Sequence, residues 1–220
     1  IVTGEIATAR FRILHTRRSE PAARELAARI EQARDSLRHF LGRDWPGVTE
    51  IRLGADREEM AELALPGGAP PSWAVALAYP AHNVILLNAA TLGGAEGVDT
   101  LWHELAHVAL GRLGVGWPHW FQEGLAVHLT GSRFDTGRYA THGWPTLPGD
   151  VEVAYAQSAD FVGWLSTRHG GGGISRLVEH VVQGDTFEVA FAKAFQSTLT
   201  QEVQAWSDDL PGRFGWLPVA

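Results

Sequence analysis

The chain has 220 residues, of which 45% are hydrophobic and 20% charged, enough to bury a real core in one domain or two small ones. Its formal charge of −7 argues against nucleic acid or an anionic membrane as the main partner. It has no cysteine, which excludes disulfides, thiolate metal sites and cysteine nucleophiles. Lys193 is the single lysine, so no basic patch stands out. No apolar run reaches the 18 or so residues of a membrane span. The first residue is Ile1, not methionine, so the expectation is a processed or trimmed natural start, with a lean towards an exported protein.

In chain order, Phe11 to His15 alternates weakly and reads as a first strand. Glu20 to Leu41 reads as one long amphipathic helix: Leu26, Ile30, Ala33, Leu37 and Phe40 repeat at helical spacing, and its Arg- and Glu-rich remainder is expected to be a solvated face. Val48 to Leu53 is expected as a short strand, Arg57 to Leu65 as a short helix, and residues 66–71 as a loop. Trp73–Tyr79 and Asn83–Asn88 are two apolar runs joined by Pro80-Ala81-His82, a β-hairpin signature. Thr91 to Gly97 reads as a glycine-rich connection before a helix over Val98–Leu113, with Asp99 or Thr100 as N-cap.

The chain then turns helical, with expected helices at Pro118–Leu129, Tyr155–His169, Ile174–Gln183, Phe187–Phe195 and Leu199–Leu210. Arg133 to Asp150 reads as a loop and Gly170 to Gly173 as a link. The fold class that follows is α+β: a small N-terminal mixed sheet with helices, then a mostly helical C-terminal half. A single domain over 1–220 is expected, with an α/β sub-region over 1–95 and a helical sub-region over 96–220.

The chemistry concentrates in His103-Glu104-Leu105-Ala106-His107. On a helix, residues four apart advance about 400°, so His107 lies about 40° from His103, with Glu104 at about 100° in the same sector. Leu101, Trp102, Leu105, Val108 and Ala109 line the opposite side, so the helix should be largely buried. Buried imidazoles and a carboxylate need partners. A divalent ion meets that need, because two imidazoles at i and i+4 can each offer a nitrogen to one Zn²⁺. Glu104, turned off that axis, can take a proton from a water the ion activates.

A catalytic zinc takes a third protein ligand. His119, Glu123, His128 and His142 are candidates; Glu123 shares a helix face with Trp120, Ala126 and Val127, an apolar setting that suits a ligand better than a surface charge. Gly124 should let a neighbouring helix come close. His119 reads as a helix-face residue near the site. The remaining histidines, among them His15 and His128, read as ordinary surface or core residues. Most tryptophans read as core, with Trp73 and Trp144 placed to line a cleft.

His103-Glu104-x-x-His107, followed after fifteen residues by Glu123 within Trp120-x-x-Glu123-Gly124-x-Ala126, resembles the gluzincin zinc metallopeptidases. It looks closest to peptidase MA-like domains and, more distantly, to aminopeptidase N-type and thermolysin-like enzymes. The resemblance covers 98–130 and implies a zincin-like fold, one Zn²⁺ per chain held by His103, His107 and Glu123, and Glu104 as general base. Tyr155, in Tyr155-x-x-Ser158-Ala159-x-Phe161, resembles the tyrosine that steadies the oxyanion in the aminopeptidase relatives, and His142 is the rival donor.

The resemblance further implies that Ala74–Tyr79 or Asn83–Asn88 is an edge strand that pairs with an extended peptide substrate. Three departures stand beside it. Gln122 replaces the family's usual Asn, the Gly-x-Met-Glu-Asn segment of aminopeptidases is absent, and Val127 stands where thermolysin-like enzymes place an aspartate. The pattern is not metzincin, since Leu110 and Leu113 occupy the positions of that family's Gly and His. The expected activity is endopeptidase-like hydrolysis of peptide or protein substrates. Its competitors are a catalytically silent scaffold stabilised by the same zinc and a hydrolase of non-peptide amides.

Overall fold

A computed structural model describes residues 1–131 and 151–214. The fold is α+β, with a small five-stranded mixed sheet near the N-terminus and a mostly helical C-terminal half. Contacts divide the chain into two compact units: residues 1–39 with 44–113, and residues 40–43 with 114–220.

The first unit carries β1 (Gly4–Ala7), β2 (Phe11–His15), α1 (Glu20–Ala27), all but the last two residues of α2 (Ile30–Leu41), β3 (Thr49–Gly54), α3 (Arg57–Glu62), β4 (Ala76–Tyr79), β5 (Val84–Asn88) and α4 (Gly94–Leu113). The strand order is β1-β2-β3-β5-β4. Strands β2, β3 and β5 run parallel, and the two edges, β1 and β4, run antiparallel to their neighbours. β5 is buried at every position, as an interior strand must be, which leaves β4 as the edge of the expected hairpin. The connection is a 3₁₀ turn at Pro80–His82 ended by Asn83 in the left-handed region (φ 56°). Asparagine tolerates that conformation, and its side-chain nitrogen donates to the Val48 carbonyl at 2.9 Å.

Three expectations are corrected here. The helix expected over Glu20–Leu41 is two helices, because the ladder tightens at Arg29, whose N–H reaches the Leu26 carbonyl three residues back (3.1 Å). Ala23, Leu26, Ile30, Ala33, Leu37 and Leu41 all remain buried across the break, so packing tolerates a kink that no Gly or Pro announces. The charged face of that segment is not wholly solvated either. Arg34 is 1% exposed, stacked 4.1 Å from the Trp45 ring, and donates to Asp44 Oδ1 (2.8 Å) and to the carbonyls of Arg10 and Gly47. A buried guanidinium with this many acceptors is a structural post for the turn before β3.

The third correction concerns α4, which starts at Gly94, so Asp99 and Thr100 lie inside the helix and cap nothing. A Cβ on Gly97 would sit 2.4 Å from the Leu92 backbone; glycine here lets the first turn fold back on the preceding 3₁₀ turn at Ala89–Thr91. Further along, Leu105, Ala106, Val108, Ala109 and Leu110 have no exposed surface. At Gly111 a Cβ would meet Pro80 Cβ at 2.3 Å, so α4 is seated directly on the turn that ends the β4 edge.

The second unit carries α5 (His119–Thr130), α6 (Val151–Arg168), α7 (Gly172–Val182), α8 (Phe187–Phe195) and α9 (Leu199–Phe214). Its core is aromatic: Trp117 stacks on Phe121 with ring centroids 5.6 Å apart, Phe187 meets both, and Phe161 lies between Trp164 and Trp206. Helices α5 and α6 pack along each other at Gly124, where a Cβ would stand 2.5 Å from the Ser158 carbonyl oxygen. α6 begins at Val151, so Tyr155 lies one turn inside the helix and not at its start. Pro118 is the N-cap of α5 in extended conformation and His119 is its first residue. No helix of the described residues is long and apolar enough to cross a membrane.

Candidate metal centre

On α4 the i, i+4 spacing brings the two imidazoles together: His103 Nε2 and His107 Nε2 are 3.1 Å apart, with the rings nearly edge-on, 4.8 Å between centroids. Both side chains are half-buried, as is Glu104 beside them. Two nitrogens each 2.0–2.1 Å from one tetrahedral ion would be about 3.3 Å apart, so this pair is set at close to the separation a shared ion requires. The almost fully buried helix beneath them fixes the backbone from which they project.

On α5, Glu123 is buried at 8% exposure, and Phe121, Leu125 and Ala126 of the same helix have no exposed surface. A carboxylate in that setting needs a cation or several donors. His119, one turn earlier, places Nε2 3.5 Å from Glu123 Oε1 while its own side chain is 76% exposed. On α6, Tyr155 is half-buried, with its ring 6.2 Å from that of His119. Burial, and secondly the Glu123 charge, push the Tyr155 phenol above its ordinary pKa of 10, so the O–H is retained at neutral and mildly alkaline pH.

His103, His107 and Glu123 each offer one ligand-type atom, and these three atoms lie within 4.8 Å of one another. Among the described residues this is the group of His, Asp and Glu that could hold a metal ion. The short tether from Leu113 to His119 keeps the two ligand-bearing helices consecutive in the chain. The donor set is two imidazoles and one carboxylate, ligand types that suit several divalent metal ions.

The other expected residues separate. His142 and Trp144 lie outside the described residues. Trp117, Trp164 and Trp206 are core, whereas Trp73 is 78% exposed immediately before β4. His128 is enclosed by the Phe40 ring and the Gly163 backbone, and burial holds its imidazole below the ordinary histidine pKa, so it is a neutral packing group. His15 is likewise buried, with Nδ1 2.9 Å from the Thr16 carbonyl. Gln122 has a structural job: its side-chain nitrogen donates to the Trp117 carbonyl (2.9 Å) and ties down the turn into α5. No protein-family model and no curated protein matches this chain.

Proposed function

We propose that the chain is a zinc-dependent metallopeptidase of the gluzincin type, a zincin-like domain with endopeptidase activity. The observation that carries this reading is the convergence of His103, His107 and Glu123, with Glu104 next to the first of them on α4. A metal site held for stability alone has no use for Glu104, which no ligand set of this kind requires.

When bound, Zn²⁺ supplies Lewis acidity towards the scissile carbonyl and lowers the pKa of water. His103, His107 and Glu123 are the residues that would hold it. Glu104 takes the proton from the attacking water and delivers it to the leaving amine. Tyr155, kept protonated by burial, donates its O–H to the developing oxyanion. Among the described residues β4 is an edge of the sheet, to which an extended peptide can add as a strand, with Trp73 and Val75 exposed just ahead of it.

Mass spectrometry of a broad peptide pool incubated with the protein tests this directly, with a chelator arm and a zinc-restored arm. Cleavage is expected in the untreated and restored arms and none with chelator. One zinc per chain and no cleavage at all would replace the enzyme reading with a zinc-stabilised scaffold. On a peptide identified in this way, Tyr155→Phe is expected to lower kcat about 10²-fold with KM little changed. Because the Tyr155 pKa is raised, no alkaline loss of activity from this group is expected below about pH 10. A wild-type kcat retained in Tyr155→Phe would remove Tyr155 from the mechanism.

A further inference from the structure

The path of the chain sets where β4 stands along α4. β5 leads through the 3₁₀ turn at Ala89–Thr91 into α4, and the Gly111 end of α4 returns to Pro80, where β4 ends. α4 therefore packs along β4 in the same sense as that strand. Counting back from this contact, His107 and His103 lie about 6 and 12 Å down the helix, and Ala78 and Ala76 about 7 and 13 Å down the strand. The two histidines are thus level with the two alanines. The Asn88 N–H donates to the Val75 carbonyl (3.0 Å), and in an antiparallel ladder the residues that bond across alternate, so Ala76 and Ala78 turn their backbone groups away from β5. Among the described residues this is the edge of the sheet. Leu77 and Tyr79 pack on Met60, Leu63 and Leu86, so the strand offers alanine methyls on its other side, which cannot select for bulk.

Trp73 comes three residues before Ala76, at most about 10 Å away by chain length. Among the described tryptophans it is the exposed one. Its backbone is held: Pro70 and Pro71 restrict the chain ahead of it, and the Ala74 N–H donates to the Pro71 carbonyl (2.9 Å), closing a turn around Ser72-Trp73. An indole presented on a fixed turn offers a large apolar side chain a wide contact at little cost in entropy. We infer that Trp73 is the specificity-determining residue for an extended peptide added to β4 at Ala76 and Ala78: the indole takes a large aliphatic or aromatic side chain about three residues from the bond that is cut. This rests on the metallopeptidase reading given above.

The test uses labelled Ala/Ser peptides that carry one phenylalanine at each position in turn, with a phenylalanine-free control. Cleavage is followed with wild type, Trp73→Ala and Trp73→Phe, and binding by fluorescence anisotropy with Glu104→Gln alone and combined with Trp73→Ala. The expected result is a kcat/KM about tenfold above the control peptide at one favoured phenylalanine position. That advantage is lost in Trp73→Ala and largely kept in Trp73→Phe, while the control peptide is cut equally by all three. Trp73 is exposed, so its removal opens no cavity and the fold should hold. The same preference retained in Trp73→Ala would overturn the inference and leave the peptidase standing. Trp73-dependent binding with no cleavage by wild type would support the inference and overturn the peptidase. Neither binding nor cleavage of any peptide would overturn both.

Discussion

Glu104→Gln is expected to keep one zinc per chain and to lower kcat by roughly 10²–10⁴-fold, the span that a positioned general base contributes. The substitution is nearly isosteric and the position is half-buried on a helix whose far side carries the packing, so the fold should hold. What is lost is chemical: a carboxamide cannot take the proton of the attacking water or return it to the leaving amine. Glu104 is not among the residues that would ligate the ion, so zinc stoichiometry separates loss of base from loss of metal. KM should change little, because the missing interaction belongs to the transition state. Turnover at the wild-type rate by zinc-loaded Glu104→Gln would sink the mechanism. Loss of zinc in the same variant would instead place Glu104 among the ligands.

The residues that could hold the ion were legible in the sequence because each reports its setting locally. His103 and His107 share a face by helix geometry alone, and Glu123 stands out as a carboxylate among apolar neighbours. Gly124 announced a close helix–helix approach, and the approach is there at Ser158. The β4–β5 hairpin followed from two apolar runs around Pro80, but which strand is the edge depends on β5 pairing with β3, a contact between segments some thirty residues apart. β1 escaped notice because Gly4–Ala7 is short and only alternately half-buried.

The start of α4 was hidden by Gly93, Gly94 and Gly97, which read as a loop until the close approach of Gly97 to Leu92 explains them. Arg34 looked like surface charge because periodicity marks faces, and it cannot show that Asp44 and the Trp45 ring wait at the end of a long side chain. The link from His119 to Glu123 needed a distance; their i, i+4 spacing put them on one face without saying that the nitrogen turns towards the carboxylate.

Gly124→Ala should destabilise the second unit and weaken the site together. In an exposed helix interior the change from glycine to alanine gains about 1 kcal/mol. Here the added Cβ would fall 2.5 Å from the carbonyl oxygen and 2.7 Å from the carbonyl carbon of Ser158, which are backbone atoms of α6 and cannot rotate away. Relief requires α5 and α6 to separate, against the aromatic core that holds them, and overpacking of this kind costs about 1–3 kcal/mol. The steric term therefore outweighs the propensity gain, and the melting temperature is expected to fall by about 5 °C. Since Glu123 precedes this glycine and Tyr155 lies one turn before Ser158, the same displacement moves the buried carboxylate relative to the phenol, and zinc affinity and kcat should both drop. Gly171→Ala is the control: φ is −58° there and no atom lies within 4 Å of the added Cβ, so stability should be unchanged or slightly higher. A Gly124→Ala protein that melts no lower than wild type would mean that α5 and α6 can part without cost, and the close helix contact would lose its role in setting Glu123.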